Sequence, residues 1–166
     1  GFYGMLFADS IAKLFYATRP RERTKGAAWA LVEDYLRRGV ALLSPGKVHG
    51  IFRLLEEATD SFAALLAHDR ILPRIGLVGE IYVKFNPFAN GYICDAIMDM
   101  GLEPDVPPLI NFFMQKLVVE DFNHQNHIES SSAALRAFLG VGAAVVKSYL
   151  DRVNGILSSF PIPLTP

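Results

Sequence analysis

The segment GEIYVKFNPFAN gathers the side chains of this chain best suited to hold a ligand. Glu80, Tyr82, Lys84, Asn86 and Asn90 fall close together there, and Gly79 permits close backbone approach. Lys84 and Asn90 are of the types that meet phosphate or amide groups. In open α/β sheets ligands bind beyond the carboxyl ends of strands, beside helix N-termini, and this segment follows a predicted strand. It is neither a Walker loop nor GxGxxG, so it carries no specific nucleotide signal. The same residues also read as a packed strand-to-helix turn with Asn86 as a capping residue. Either way their roles are positional and electrostatic, because no nucleophile stands among them.

Three other groups invite a chemical reading. His124 and His127 in NHQNHIE lie near Asp121 and Glu129, but HxxH lacks the i, i+4 geometry of HExxH, and no distant third ligand is indicated. A solvated polar turn is the expectation there. Cys94 is the sole cysteine, so it cannot hold zinc or an iron–sulfur cluster by itself, and a small buried hydrophobe is expected. Arg19, Arg21, Arg23 and Lys25 make a local basic run, either an anion contact or a solvated loop. His49 and His68 sit near the ends of one predicted helix, where His68 would ease the helix dipole. No metal ligand and no catalytic residue is assigned.

The elements that position these residues follow from apolar spacing. Phe7, Ile11, Leu14 and Phe15 recur at helical period, and Arg19-Pro20 closes that helix. Trp29, Val32, Tyr35 and Leu36 form a second stripe, and Ser44-Pro45-Gly46 ends it. A third helix is predicted over 47–67, with Ile51, Leu54, Leu55, Ala58, Phe62 and Leu65 inward. IGLVGEIYV is continuously apolar, the pattern of a strand buried on both faces of a parallel sheet. A helix should then start at Asn86-Pro87 and stop at Gly101, with a short second strand in LEPDVPPLI.

Beyond that point Phe112, Phe113, Leu117 and Val118 make one stripe, and 121–129 breaks it. A long helix over 130–159 carries Leu135, Phe138, Leu139, Val145, Val146, Tyr149, Leu150 and Val153. The proline-rich tail FPIPLTP cannot continue it. The expected fold is α/β and helix-rich. It has a small parallel sheet in a βαβ unit, a partial Rossmann-like or flavodoxin-like domain, packed with several long helices. The regions are helical over 1–72, βαβ over 73–110, and helical over 111–166. They are expected to make one compact unit excised from a larger protein, because a buried-type strand lacks enough partners.

Composition narrows the class. The 166 residues are 51% hydrophobic and 20% charged, with a net charge of −1. That excludes disorder, and it gives no pull toward nucleic acid or an anionic membrane. No uncharged apolar run reaches about 18 residues, so no membrane span is expected. The N-terminal segment lacks the features of a secretory signal, which makes the cytoplasm the expected compartment. The apolar surplus points to a covered surface.

Two motifs together resemble a known family. RIGLVGEIYVKFNPFAN is similar to the VGEIYV-x-x-NPFAN signature of acyl-CoA dehydratase activase-related proteins, members of the 2-hydroxyacyl-CoA (2-hydroxyglutaryl-CoA) dehydratase-like group. Upstream, ADSIAKLFYATRPRERTKG resembles a segment of that family in which Arg19, Pro20, Glu22 and Gly26 fit and Arg21 replaces the usual Tyr. The likeness covers most of 5–110. It implies a bacterial, anaerobic, CoA-substrate system that uses a [4Fe-4S] cluster and ATP with magnesium. Its parent would be either a dehydratase-like lyase or its ATP-dependent activase. In this chain it implies acyl-CoA binding or a scaffold role, with Gly79, Glu80, Tyr82, Lys84, Asn86 and Asn90 lining the site mouth and Arg19 nearby. No cofactor is expected in the chain itself. Its expected partners are the remaining domains of a parent protein or a second copy, with no nucleic acid. The other reading is a non-catalytic interaction or oligomerisation domain.

Overall fold

Apolar residues at helical spacing in the first third form three mutually packed helices. The computed structural model describes residues 1–44, 49–112 and 133–164. Helix α1 (Phe2–Thr18) buries Leu6, Phe7, Ser10, Ile11, Leu14, Phe15, Ala17 and Thr18, the expected stripe and its neighbours. Helix α2 (Ala27–Leu43) buries Ala28, Val32, Tyr35 and Gly39. Helix α3 (His49–Ala64) buries Ile51, Leu54, Leu55, Ala58 and Phe62 as expected, ending three residues earlier than its sequence pattern implied. The predicted α2 stripe is corrected in part: Val32 and Tyr35 are buried, but Trp29 and Leu36 are exposed, because the inward row of α2 runs through Ala28 and Gly39 instead.

The basic segment after α1 is a built corner. Arg19–Arg21 continues as a 3-10 turn and Glu22 leaves it extended. Both Glu22 carboxylate oxygens then cap α2, accepting from the Gly26 and Ala28 amides at 2.8 and 2.9 Å. Gly26 stands at φ 91, a left-handed conformation that glycine adopts without a Cβ penalty. The Arg23 amide donates to Leu65 O and the Ala67 amide to Arg21 O, which fastens the end of α3 to this corner.

Close approach of α1 and α2 depends on Gly39. A Cβ there would stand 2.6 and 2.9 Å from two ring carbons of buried Phe7. Gly39→Ala is expected to destabilise the fold. The clash costs about 1–3 kcal/mol and exceeds the roughly 1 kcal/mol that alanine gains over glycine inside a helix. Urea unfolding of the variant measures this; a raised midpoint would show that the Phe7 ring has room to turn.

Among the described residues the sheet has two parallel strands, β1 (Arg74–Gly76) and β2 (Glu103–Asp105). Arg74 faces Glu103, Ile75 faces Pro104 and Gly76 faces Asp105. The long doubly buried strand expected from IGLVGEIYV is corrected. Only 74–76 is strand, it is exposed, and Val78 is 92% exposed. The reason is Glu80: its carboxylate accepts from the Tyr82 and Val83 amides and starts helix α4 (Ile81–Phe85) in mid-run. Local capping thus overrides the β propensity of IYV.

The helix expected from Pro87 also starts later. Asn86 Oδ1 accepts from the Ala89 amide and shapes a turn, and helix α5 spans Ile93–Asp99. It ends as expected at Gly101, whose φ is 74. The Gly101 amide donates to Met98 O and the Leu102 amide to Ile97 O, the paired bonds of a Schellman motif.

Ladder geometry sets where this sheet can grow. The amide of Glu103 donates to Pro73 O, and Asp105 O accepts from the Leu77 amide, so both residues turn their backbones toward β1. Pro104, between them, faces the other way and has no N–H to offer. Further pairing is therefore confined to the β1 side.

Helix α6 (Ala133–Leu157) packs on α3 and α1. Val153 and Leu157 enter the core, followed by Phe160 and Ile162 from the tail. Tyr149 stacks on Phe52 with ring centroids 5.9 Å apart, while Val145 is exposed. Phe113, Leu117, Val118 and the 121–129 segment lie outside the described residues, as do the side chains of Leu135, Phe138 and Leu139. Among the described residues no helix is long and apolar enough to cross a membrane.

Candidate functional site

The row Ala8, Ala12 and Tyr16 on α1, with Asp9 and Lys13 beside it, lines a cleft beside the three-helix core, on which Tyr16 also packs. Opposite it stand Ile81, Tyr82 and Phe85 of α4, with Asn86 and Pro87 following. Val106, Pro108 and Leu109, beyond β2, close the end. The result is a mostly apolar cleft of about 700 Å3, within the range of small-molecule sites.

Two charged groups of α1 enter it. Asp9 is committed to structure, accepting from the Leu109 amide at 3.1 Å and the Ile110 amide at 2.9 Å. Burial pushes its pKa above the usual carboxylate value, opposed by those two amides and by Lys13. Lys13 is shifted the other way: burial lowers its pKa, while Asp9 and Asp105 favour its charged form. Among the described residues no carboxylate comes within ion-pair distance of Lys13, so its ammonium remains available in an apolar wall.

A second cleft of about 420 Å3 adjoins the first and shares Tyr16, Phe85 and Pro87 with it. Phe15, Trp29 and Tyr92 add further rings, and Lys84, Cys94 and Asp95 also line it. Phe15 and Trp29 meet edge to face, centroids 5.6 Å apart. Burial pushes the Cys94 thiol up; the Tyr16 hydroxyl partly counters this and Asp95 adds to it. Tyr16 is also raised, by burial first and then by Cys94. Thiol and phenol therefore stay neutral near pH 7, and this wall suits binding more than nucleophilic attack.

The residues singled out in the sequence separate into distinct places. Tyr82 and Asn86 line the first cleft, Lys84 and Asn90 the second. The Asn90 amide is spent on the loop: its Nδ2 donates to Val83 O and Lys84 O, and its Oδ1 accepts from the Ile93 amide. Glu80 is spent as the cap of α4, and Gly79, at φ 151, forms the bend before it. Arg19 lines neither cleft. It pairs with Asp99 at 2.9 Å and with Glu22 at 3.5 Å. Arg21, read as part of a basic run, is buried against Glu103.

Asp9, Lys13, Tyr16, Trp29 and Tyr92 carry the site and were not read from sequence as its residues. The i, i+4 pair Asp9–Lys13 on the outer face of α1 was the available signal. His124, His127, Asp121 and Glu129 lie outside the described residues. Among the described residues no group of three or more His, Cys, Asp or Glu side chains is arranged to hold a metal. Comparison with protein-family models, curated proteins and solved structures finds no match to the chain.

Proposed function

We propose that this chain is an acyl-CoA-binding module of a cytoplasmic, 2-hydroxyacyl-CoA dehydratase- or activase-like system, and that it takes no part in electron transfer. The observation that supports this reading is one wall of the larger cleft. The GEIYVKFNPFAN segment, on which the family resemblance rests, faces an apolar helix row that carries Lys13, which has no ion pair among the described residues. An acyl chain suits the apolar lining, and the Lys13 ammonium suits the thioester carbonyl oxygen, to which it would donate. In this reading β1, α4, α5 and β2 belong to a partial Rossmann-like βαβ unit that the remaining domains of a parent protein complete.

The residues present do not fit an iron–sulfur cluster. The sequence holds a single cysteine, half-buried, and burial disfavours its thiolate. A cluster and ATP with magnesium, where the system uses them, would belong to other domains of the parent.

Calorimetry with butyryl-CoA and butyryl-pantetheine tests the proposal. Both are expected to bind, and Lys13→Met is expected to weaken both about tenfold or more, the worth of a hydrogen bond from a charged donor. Failure of both thioesters to bind would overturn it.

A second reading, an assembly domain, is favoured by the edge of β1, which pairs with no further strand among the described residues, with Ile75 and Val78 exposed. Under that reading the chain self-associates in light scattering, while Lys13→Met changes nothing.

A further inference from the structure

The aromatic surface of the second cleft has no role in acyl binding. Trp29 and Tyr92 both line this cleft while 54% and 55% exposed, which leaves ring surface open to a guest. Tyr92 is also the one described non-glycine residue with positive φ, at 58. A bulky side chain in that conformation costs on the order of 1–3 kcal/mol, and such strain clusters at ligand clamps. The loop enforces it: the Tyr92 amide donates to Pro87 O at 2.7 Å, and Tyr92 O accepts from the Ala96 amide at the start of α5.

Two charges share the rim. Lys84 has no ion pair among the described residues, and its Nζ lies 5.5 Å from the Phe85 ring centroid. Asp95 stands in the first turn of α5. The ammonium in the lining disfavours a cationic guest of the kind aromatic cages otherwise take. What suits the set is a flat ring that stacks, with an anion on one side and an amine donor on the other.

We propose that this second cleft binds the purine end of a nucleotide, with the ring against Trp29 and Tyr92, a phosphate toward Lys84 and the exocyclic amine donating to Asp95. A volume of about 420 Å3 accommodates a nucleoside. Stacking on aromatic side chains contributes about 1–3 kcal/mol per base. The Tyr16 phenol and Cys94 thiol, held neutral, add no charge that repels a phosphate. Such a ligand has two sources, a free purine nucleotide or the nucleotide end of an acyl-CoA. The second source rests on the acyl-binding reading above and uses the junction at Tyr16, Phe85 and Pro87 that the two clefts share.

Trp29 is the sole tryptophan of the chain, so its emission reports this cleft directly. The probes are ADP without added metal, CDP, butyryl-CoA and butyryl-pantetheine. ADP is expected to quench Trp29 saturably and more tightly than CDP, with Lys84→Met weakening it about tenfold. Tyr92→Gly relieves the backbone strain, so it should keep or raise thermal stability while ADP affinity falls at least fivefold. Quenching by butyryl-CoA but not by butyryl-pantetheine assigns the nucleotide to the larger ligand. Saturable ADP quenching with neither thioester bound assigns it to a free nucleotide and defeats the acyl-binding reading alone. No ADP quenching, with butyryl-CoA binding no tighter than butyryl-pantetheine, overturns the purine site and leaves acyl binding standing.

Discussion

Glu103→Ala is expected to lower the stability of the fold by about 3–5 kcal/mol, the cost of stranding one charge of a buried ion pair. Arg21 and Glu103 side chains are 1% and 3% exposed, and their charged groups meet at 2.8 Å. The pair joins three parts of the chain. Arg21 Nη1 donates to Ala17 O of α1 and Nε to Arg70 O at 2.9 Å, while Arg74 of β1 donates from Nε to Glu103 Oε1 at 2.9 Å. It is imperfectly satisfied: the 2.8 Å contact of Arg21 Nη1 with Glu103 Oε2 is an ion pair without hydrogen-bond alignment, and Arg21 Nη2 is buried with no hydrogen bond among the described residues. Desolvation is therefore incompletely offset, and the pair contributes more to fixing the sheet on the helices than to net stability. The double replacement Arg21→Met with Glu103→Ala should recover much of the loss, leaving a coupling energy well above the few tenths expected of independent sites. Urea titrations of both single variants and the double variant measure this. A single-variant loss under about 1 kcal/mol would show that water reaches the pair.

Arg21 also shows where sequence stops being informative. In TRPRERTKG it looks like one more solvated cation, since nothing local announces that Glu103, far along the chain, will meet it. The helix stripes of α1 and α3 were legible because burial of an amphipathic face is written into spacing. The stop at Gly101 was legible because a left-handed C-terminal residue is a local demand. The 81–85 helix was not, because β-branched composition and a glutamate cap compete there and the cap decides. For the site, the segment was legible but the chemistry was not. Glu80, Asn86 and Asn90 are the right types in the right place, yet their polar groups are spent on capping and loop bonds. Lys13 and Lys84 are distinguished by having no ion pair among the described residues, a property that depends on residues far along the chain and is not written in local sequence.

Phe62→Ala is expected to cost about 3–5 kcal/mol, as for large aromatic truncations in closed cores. Phe62 is fully buried, its ring tilted against Tyr35 at 6.4 Å, at the place where α2 and α3 meet. Phe62→Leu keeps most of the volume and should cost clearly less, on the order of 1.5 kcal/mol. The informative comparison is with ligand affinity. Helix α1 presents Ile11 and Leu14 to this core and Asp9 and Lys13 to the first cleft, whereas Phe15 and Tyr16 both pack with the core and line the second cleft, to which α2 adds Trp29. Core packing in α2 and α3 therefore reaches the Asp9 and Lys13 wall of the first cleft only through the population of the folded state, whereas the second cleft shares Phe15 and Trp29 with the packed helices. Under conditions where Phe62→Ala is still mostly folded, butyryl-pantetheine, which uses the first cleft alone, should bind it with unchanged affinity while its unfolding midpoint is strongly lowered. A parallel loss of affinity and stability would mean that α1 shifts when the core loosens. The Lys13 position would then depend on packing behind it as well as on the helix that carries it.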